Sequence, residues 1–301
     1  MRKFKLKEKA AERMKNPDEA FSRAGSAAAA REVTFLENAG GIRVVWRTDV
    51  GRIRQTNEDA VVIGHGLAAV ADGMGGHNGG EIASGGLRDG LLRELAGKEA
   101  DRAELEGAVE RINLELWEKQ EHDASLTGMG TTLTALWPTE KEMIIAHVGD
   151  SRAYLLRSGE LRQMTRDHSM VADMVRRGVL TEEQAACHPM RNYITRAVGT
   201  EDTIEVDMYT EKREAGDRWL VCSDGLYGQM THEELDALVR TADPEEAADR
   251  LLRTALENGG KDNITLILLD DTTGAPPEEE ETPEDEAPAA EADGQEVAGD
   301  E

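Results

Sequence analysis

Hydrophobic and polar positions alternate along several short stretches of the chain, in the pattern typical of half-buried β-strands. The first such stretch is residues 42–46. Two more apolar runs, at residues 60–63 and 67–71, are separated by a glycine-containing turn at residues 64–66. Two strands joined by so short a turn predict an antiparallel hairpin.

The same criterion divides the rest of the chain into β-rich and helical segments. Apolar residues recur every three or four positions in residues 79–95 and 100–122, which predicts two helices that cover a sheet. Strands are predicted at residues 130–137, 143–148, 153–156, 161–164, 204–209, 218–222 and 264–269. Helices are also predicted at residues 233–239 and 244–257, and residues 167–196 predict short helices in a surface excursion. The short turns between the strands favour antiparallel sheets.

Both ends of the chain differ in composition from this middle part. Residues 1–40 mix Lys, Arg, Glu and Ala with few apolar residues, which predicts a mobile helical arm. This arm is either a docking segment for a partner or a solvated leader. Residues 272–301 are rich in Pro, Glu, Asp and Ala, and they have too little apolar surface to offset the entropy of ordering. We therefore predict one globular domain at residues 41–271 and a disordered acidic tail.

The charge of the chain excludes some classes of partner. It carries 35 basic and 61 acidic residues, a formal net charge of −26. Twelve of the acidic residues lie in residues 274–301, which contain no basic residue, so subtracting them leaves −14 for the remainder. This excess argues against electrostatic binding to nucleic acid or anionic lipid, and it suits divalent cations. A tail that binds basic partners is the competing interpretation of the acidic segment.

Cysteine usage and hydropathy bear on the compartment. The two cysteines, Cys187 and Cys222, are far apart, so neither a disulfide framework nor a zinc site is indicated. No apolar run is long enough to span a bilayer, and the charged start of the chain lacks the pattern of a signal sequence. We therefore expect a soluble, cytoplasmic protein, a monomer, with no membrane partner.

Acidic residues lie where the predicted strands end or where Gly and Asn mark loops. They are Glu58, Asp59, Asp72, Asp150, Asp224 and Asp262. Antiparallel pairing in the predicted hairpin places Glu58 and Asp59, which begin one strand, beside Asp72, which ends its neighbour. A single Asp-Gly pair is usually only a turn, but here six carboxylates share one context.

This predicted cluster has the chemistry of a metal site. Carboxylate oxygens suit Mg²⁺ or Mn²⁺, and no group of His or Cys competes for zinc. Two such ions that share a carboxylate can activate a water molecule for in-line attack on phosphorus. Phosphate-ester hydrolysis needs such a nucleophile because the uncatalysed reaction is extremely slow. Arg54, shortly before Glu58, supplies a guanidinium that can bind two phosphate oxygens.

An ordered set of short motifs carries a resemblance to a known family. The motifs are Arg54-x-x-Asn57-Glu58-Asp59, Asp72-Gly73-Met74-Gly75-Gly76-His77, Gly130-Thr131-Thr132, Gly149-Asp150-Ser151-Arg152, Ser223-Asp224-Gly225 and Asp262-Asn263. Together they make residues 42–270 resemble the metal-dependent type-2C (PPM) serine/threonine protein phosphatases in their bacterial form. The resemblance implies an α+β fold, a four-layer α-β-β-α sandwich in which helix pairs flank two central antiparallel sheets. It also implies a dinuclear site at one edge.

The resemblance assigns roles to the residues of the two core ions. Asp72 would bridge two Mn²⁺ or Mg²⁺ ions, and the Gly73 carbonyl would join one of them. Asp224 and Asp262 would hold the other ion.

The remaining positions would complete the implied site. Glu58 and Asp59 would bind directly or through metal-bound water, and Arg54 would bind the phosphate. Asp150 matches the family's ligand for a third, weaker ion, and residues 167–196 match its mobile flap. A structural Asp150 that caps its turn is the competing interpretation.

The general acid is the one departure from the pattern of animal members. Their acidic histidine directly follows the Asp-Gly pair, where this chain has Met74. His77 is the nearby candidate for the acid. The alternative is a structural His77, with a metal-bound water or the solvent protonating the leaving oxygen.

The implied function is metal-dependent hydrolysis of phosphoserine and phosphothreonine in proteins by a metal-activated water. The partners would be phosphorylated proteins, namely a Ser/Thr kinase and the substrates of that kinase, and not nucleic acid. The alternative is a catalytically inactive module of the same fold that binds phosphoproteins or a kinase. Such a module would lack ligands, whereas Arg54, Asp72, Asp224 and Asp262 are all present.

Overall fold

Strands from distant parts of the sequence alternate within two sheets of a computed structural model that describes residues 30–35, 41–75 and 79–273. The first sheet consists, in spatial order, of β1 (Ala30–Phe35), β2 (Ile42–Asp49), β12 (Ile264–Asp271), β11 (Arg218–Cys222), β8 (Arg152–Arg157) and β9 (Glu160–Gln163). The second consists of β10 (Asp207–Lys212), β7 (Glu142–Val148), β6 (Leu133–Pro138), β4 (Leu67–Met74) and β3 (Asp59–Gly64), with β5 (Gly130–Thr131) paired to β4. The described pairs are antiparallel, as predicted.

Helices cover the outer face of each sheet. Those on the second sheet are α1 (Gly79–Glu94) and α2 (Arg102–His122), and those on the first are α6 (His232–Val239) and α7 (Pro244–Glu257). Between them in sequence come α3 (Met170–Arg176), α4 (Glu182–Ala186) and the short α5 (Asp224–Tyr227). The predicted four-layer α-β-β-α sandwich is therefore confirmed.

Three hydrophobic cores lie between the four layers. Strand β12 contributes side chains to two of these cores. Leu266 and Leu268 pack against α6 and α7, whereas Ile267 and Leu269 point into the space between the sheets. A strand buried on both faces reads as a continuous apolar run instead of an alternating one. Its register is still fixed, because a slip of one residue would exchange the side chains of the two cores.

Helix starts follow local chemistry in the sequence. The Asp101 carboxylate accepts from the Ala103 N–H at 2.9 Å and begins α2. Thr231 and Glu234 form a reciprocal capping box at the start of α6. Asp243 caps α7, whose first residue is Pro244, a residue that needs no backbone donor at that position.

The ends of the described sandwich differ from the prediction. Residues 30–35, predicted as part of a helical arm, form strand β1 along the edge of β2. The run Val33-Thr34-Phe35 consists of residues that favour strands, and the free edge of β2 offers a partner for them. Beyond the predicted end of the domain at residue 271, Thr272 N–H donates to the Gly41 carbonyl oxygen at 2.6 Å. The rest of the arm and residues 274–301 lie outside the described residues.

Smaller features complete the comparison with the sequence. Strand β10 begins at Asp207, three residues later than predicted, because its pairing with β7 starts opposite His147. Both cysteines are free, Cys187 exposed and Cys222 buried. Within residues 30–35, 41–75 and 79–273, none of the helices combines the length and hydrophobicity needed to cross a bilayer.

Candidate metal centre

One end of the sandwich collects the predicted acidic residues from both sheets. Asp59 opens β3 directly opposite Asp72 in β4, the register predicted for the hairpin. Asp150 follows β7, Asp224 follows β11, and Asp262 precedes β12. Neighbouring antiparallel strands end and begin at the same edge, so positions far apart in sequence meet there.

Close backbone packing holds Glu58 beside Gly73. The Gly73 N–H donates to the Glu58 carbonyl at 3.1 Å, and the Glu58 N–H donates to Asn263 Oδ1 at 2.9 Å. A Cβ atom at position 73 would lie 2.2 Å from the Gly80 carbonyl oxygen and 2.6 Å from that of Glu58. Only glycine fits here, because any side chain would push the start of α1 away from the strand.

The backbone of Asp72 is fixed by two threonines from the β5–β6 segment. Thr132 Oγ1 accepts from the Asp72 N–H at 2.9 Å, and the Thr132 N–H donates to the Asp72 carbonyl at 2.9 Å. Thr131 Oγ1 donates to the same carbonyl at 3.0 Å. These bonds occupy the main chain of Asp72 and leave its carboxylate available. The sequence marked the Gly-Thr-Thr motif but gave the threonines no role.

Two buried carboxylates each keep one oxygen without a hydrogen bond. Ser223 Oγ donates to Asp59 Oδ2 at 2.8 Å, while Asp59 Oδ1 is buried and has no partner among the described residues. Asp150 Oδ1 is in the same condition. A buried carboxylate oxygen without a partner is costly, so both atoms suit a bound cation.

The pKa values of these carboxyl groups are raised because the groups are shielded from solvent and lie close to one another. Desolvation, and then repulsion by Asp59 and Asp224, raises the pKa of Asp72 well above its usual range. Burial raises the pKa of Asp59 to about 7 and, with repulsion by Asp262, that of Asp224 to about 6. Burial followed by repulsion from Asp224 also raises the pKa of Asp150 well above its usual value. A positive charge at this point would relieve all four.

The donor set fits a divalent cation by its chemistry. All of the candidate side chains offer carboxylate oxygens, the ligands that Mg²⁺ and Mn²⁺ prefer. Across the described ranges, no three of the His, Cys, Asp and Glu side chains form a ready-made group that could hold an ion. The fit therefore rests on the two orphaned oxygens and on the raised pKa values.

A guanidinium stands at the mouth of the cluster. Arg54 is about half exposed, and one of its nitrogens donates to Asp262 Oδ2 at 2.9 Å. A second nitrogen lies 4.0 Å from Glu58 Oε2. A guanidinium carries five N–H donors, so Arg54 can hold these carboxylates and still bind the oxygens of an incoming phosphate.

The predicted flap, residues 167–196, is joined to the site at its base. Asp167 makes a bidentate ion pair with Arg152, with contacts of 3.0 and 2.7 Å. The Arg152 guanidinium lies 3.7 Å above the ring of Tyr227, whose hydroxyl donates to the Asp150 carbonyl at 3.0 Å. Sequence reasoning overlooked Arg152 and Tyr227, although Arg152 stands in the quoted Gly-Asp-Ser-Arg motif.

The candidate acid His77 falls in residues 76–78, outside the described residues. The other predicted site residues lie together at this end of the sandwich: Arg54, Glu58, Asp59, Asp72, Gly73, Asp150, Asp224 and Asp262.

Comparison with known proteins agrees with this arrangement. A family model described as protein phosphatase 2C matches residues 52–267. The chain is 40% identical over 235 residues to the serine/threonine protein phosphatase PstP of Mycobacterium tuberculosis, and the match covers 76% of this chain and 45% of PstP. It is 38% identical over 237 residues to the serine/threonine phosphatase stp of Listeria monocytogenes, covering 75% of this chain and 94% of stp. The chain thus spans less than half of the first relative and nearly all of the second.

Solved structures show the same similarity. The M. tuberculosis PstP structure superposes with a TM-score of 0.73 at 39% identity, covering 76% of this chain and 98% of that one. A structure of the PstP catalytic domain in complex with two manganese ions gives 0.71 at 38% identity, with the same coverage. The chain belongs to the protein phosphatase 2C family of serine/threonine protein phosphatases, in its bacterial PPM form.

Proposed function

We propose that this protein hydrolyses phosphoserine and phosphothreonine in other proteins and depends on Mn²⁺ or Mg²⁺ for this activity. Two bound ions would supply an activated water as nucleophile and neutralise charge on the phosphate. The relatives named above are serine/threonine phosphatases, and one of them was solved with two manganese ions. The proposal also includes opposition to a Ser/Thr kinase, with the phosphorylated kinase and its targets as substrates.

Each residue of the centre has a distinct task in this proposal. Asp72 would bind both ions, the Gly73 carbonyl would bind one of them, and Asp224 and Asp262 would bind the other. Glu58 and Asp59 complete the ligand set from the start of β3. These assignments use oxygen donors from both sheets, so the proposed site depends on how the two sheets pack together.

The remaining groups act on the substrate or on a further ion. Arg54 binds the non-bridging phosphate oxygens, which orients the phosphorus for in-line attack. Asp150 is the proposed ligand of a third, weaker ion close to the flap. His77 is proposed to protonate the leaving serine or threonine oxygen.

The observation that carries the proposal is the set of buried and half-buried carboxylates beside Arg54, whose pKa values are raised by desolvation and by one another. Ionised carboxylates are kept together at such a cost where a cation neutralises them. The decisive experiment is phosphate release from a phosphothreonine peptide with Mn²⁺, with Mg²⁺ and with EDTA. We expect turnover with either ion and none with EDTA. Turnover that survives chelation would show that the two-ion proposal is wrong.

Replacement of the arginine tests the phosphate-binding step. Arg54→Ala should raise KM for the phosphopeptide, because a phosphate clamp acts on the ground state and the transition state alike. The expected rise is about 10-fold, which corresponds to roughly 1.4 kcal/mol of lost binding. Arg52→Ala, two residues earlier in the same loop, is the matched control. An unchanged KM with a collapsed kcat would instead place Arg54 among the groups that act only in the transition state.

A further inference from the structure

Two amide side chains of α2 hold the turn that follows the flap. Asn113 and Gln120 lie on the buried face of the helix and are 1% and 9% exposed. The Gly199 N–H donates to Asn113 Oδ1 at 2.7 Å, and Gln120 Nε2 donates to the Gly199 carbonyl oxygen. Asn113 Nδ2 also donates to the Glu201 carbonyl at 2.9 Å. Both polar groups of the Gly199 main chain are therefore bound by one helix.

The turn is also pressed against that helix. Gly199 has a φ of +88°, and a Cβ atom there would lie 2.9 Å from Cβ of Leu116. Leu116 stands between Asn113 and Gln120 on the same helical face. A side chain at position 199 would be strained and would separate the turn from α2, so the hydrogen bonds and the close packing specify one position.

The same turn continues directly into the metal centre. The Thr131 N–H donates to the Val198 carbonyl at 3.0 Å, and the Val198 N–H donates back to the Thr131 carbonyl at 2.8 Å. Thr131 Oγ1 donates in turn to the Asp72 carbonyl at 3.0 Å. An unbroken series of bonds thus runs from α2 through Gly199 and Thr131 to Asp72, the residue proposed to bind both ions.

We propose that Asn113 and Gln120 are positioning residues for the metal centre. By fixing Gly199 they fix Thr131 against Asp72, and they set the distance between the end of the flap and the two-ion site. Apolar side chains would fill this core without the cost of burying an amide. Gln120 Oε1 also accepts from the Gly128 N–H at 3.0 Å, so the two amides hold both backbone segments that meet at Thr131. This inference rests on the proposed function, because it assigns Asp72 to the ions.

Near-isosteric variants remove the bonds while keeping the volume. Asn113→Leu and Gln120→Met should each weaken Mn²⁺ binding, measured by calorimetric titration, by up to about 10-fold, the low end of the effect of losing a group bonded directly to a ligand, because the amides act through Gly199, Val198 and Thr131. In the metal-free protein, amide hydrogen exchange at Thr131 and Val198 should become faster. At saturating Mn²⁺, kcat for a phosphopeptide should fall with little change in KM.

Val109→Ala supplies the matched control, because Val109 is buried in the same helix one turn before Asn113. It should lower the melting temperature by a similar amount while leaving Mn²⁺ affinity and the exchange of Thr131 unchanged. If Asn113→Leu fails to fold, Gln120→Met keeps the bond between Asn113 and Gly199 and carries the test.

Three results would contradict the inference. The first is wild-type Mn²⁺ affinity in both variants, whether or not exchange at Thr131 becomes faster, because the amides would then serve stability alone. The second is unchanged exchange at Thr131 in both variants. The third is an equal loss of Mn²⁺ affinity in Val109→Ala. Failure of the proposed function is a separate result: the unaltered protein would release no phosphate, while exchange at Thr131 would still report on positioning.

Discussion

Asp72 shows at the scale of one residue how function and stability oppose each other in this site. Its main chain is held by Thr131 and Thr132, and its carboxyl group is surrounded by other acidic groups that raise its pKa. In the absence of a cation, those neighbours make the ionised side chain a source of repulsion. The residue proposed to matter most for turnover is therefore one that destabilises the metal-free fold.

Asp72→Asn separates the two effects. We expect turnover to fall by more than about 100-fold, beyond the loss typical of an outer-shell partner. The melting temperature of the metal-free protein should rise, because Asn neither carries a charge nor has to take up a proton in order to enter the cluster. Phosphate release with Mn²⁺ and scanning calorimetry in EDTA measure the two quantities. Asp89→Asn, an exposed carboxylate on α1, should change neither. Retained turnover or a lower melting temperature in Asp72→Asn would contradict this account.

The raised pKa values of the cluster predict how the stability of the metal-free protein depends on pH. Burial raises the pKa of Asp59 to about 7 and that of Asp224 to about 6, whereas an unfolded Asp titrates near about 4. Between these values the folded protein keeps protons that the unfolded chain has released, so the free energy of unfolding falls as pH rises. The melting temperature of EDTA-treated protein should therefore decrease from pH 5 to pH 8. Asp59→Asn should flatten this decrease, and a melting temperature that rises over this range would exclude the mechanism.

The residues of the site were predictable to unequal degrees. The acidic residues proposed as ligands could be located in the sequence because each lies at a strand end or in a loop marked by Gly or Asn. The partners that hold them could not, because they come from remote parts of the chain: Ser223 donates to Asp59 across 164 residues of sequence. Asn263 likewise accepts from the Glu58 N–H across 205 residues. These hydrogen bonds depend on the order of the strands in the sheets, and the pattern of apolar and polar residues does not predict that order.

At the scale of elements, the β3–β4 hairpin was predictable down to its register, and other elements were not. A tight turn and two apolar runs determine that Asp59 faces Asp72. Strand β1 was missed because its residues sit in a charged segment and form a strand by pairing with the edge of β2. Helix α5 was missed because four residues are too few for helical spacing to be visible. Strand β1 depends on pairing with a distant segment, and α5 is too short to show a period, so a local pattern predicts neither element.

The proposed third ion near the flap leads to a prediction about Asp150. Asp150→Ala should lower kcat while the proposed two-ion core still binds Mn²⁺, because the lost carboxylate is the proposed ligand of a weaker ion near the flap. Calorimetric titration should lose its weak isotherm, and the melting temperature of the metal-free protein should not fall. Asp173→Ala, which removes an ion-paired carboxylate within α3 of the flap, should leave the weak isotherm intact. A large loss of stability with a normal kcat would identify Asp150 as a turn residue.

At the scale of the whole molecule, ion pairs tie the two sheets together in addition to the apolar core between them. Arg157 of β8, in the first sheet, contacts Glu211 of β10, in the second, at 2.9 Å. Arg213, which follows β10, contacts Asp271 of β12 at 2.8 Å. The four-layer order followed from the resemblance to a family, because alternating apolar positions predict sheets without saying which sheets pack together.

The acidic tail can be tested on the whole molecule. Removal of residues 274–301 should leave the melting temperature within about 1 °C and leave turnover of short phosphopeptides unchanged, because these residues offer little apolar surface to bury. The cut belongs after Thr273 and not after Asp271, since Thr272 and Thr273 bond to Gly41 and Asp271. Scanning calorimetry and peptide turnover provide the measurement. A drop of several degrees would show that the tail packs on the domain.

The hydrogen bond between Thr272 and Gly41 marks one end of the sandwich, and the acidic cluster marks the opposite end. Strands β2 and β12 run side by side from this point, where Ile42 pairs with Asp271, to the acidic end, where Asp49 pairs with Ile264. Eight paired residues span roughly 24 Å, at about 3.4 Å for each step. A module joined after residue 273 would start from the end opposite the acidic cluster, whereas β1 returns along β2 and brings Ala30 beside Thr48, near the acidic end. A fusion at that point would leave the acidic cluster open to large substrates, whereas one placed before β1 would begin beside it.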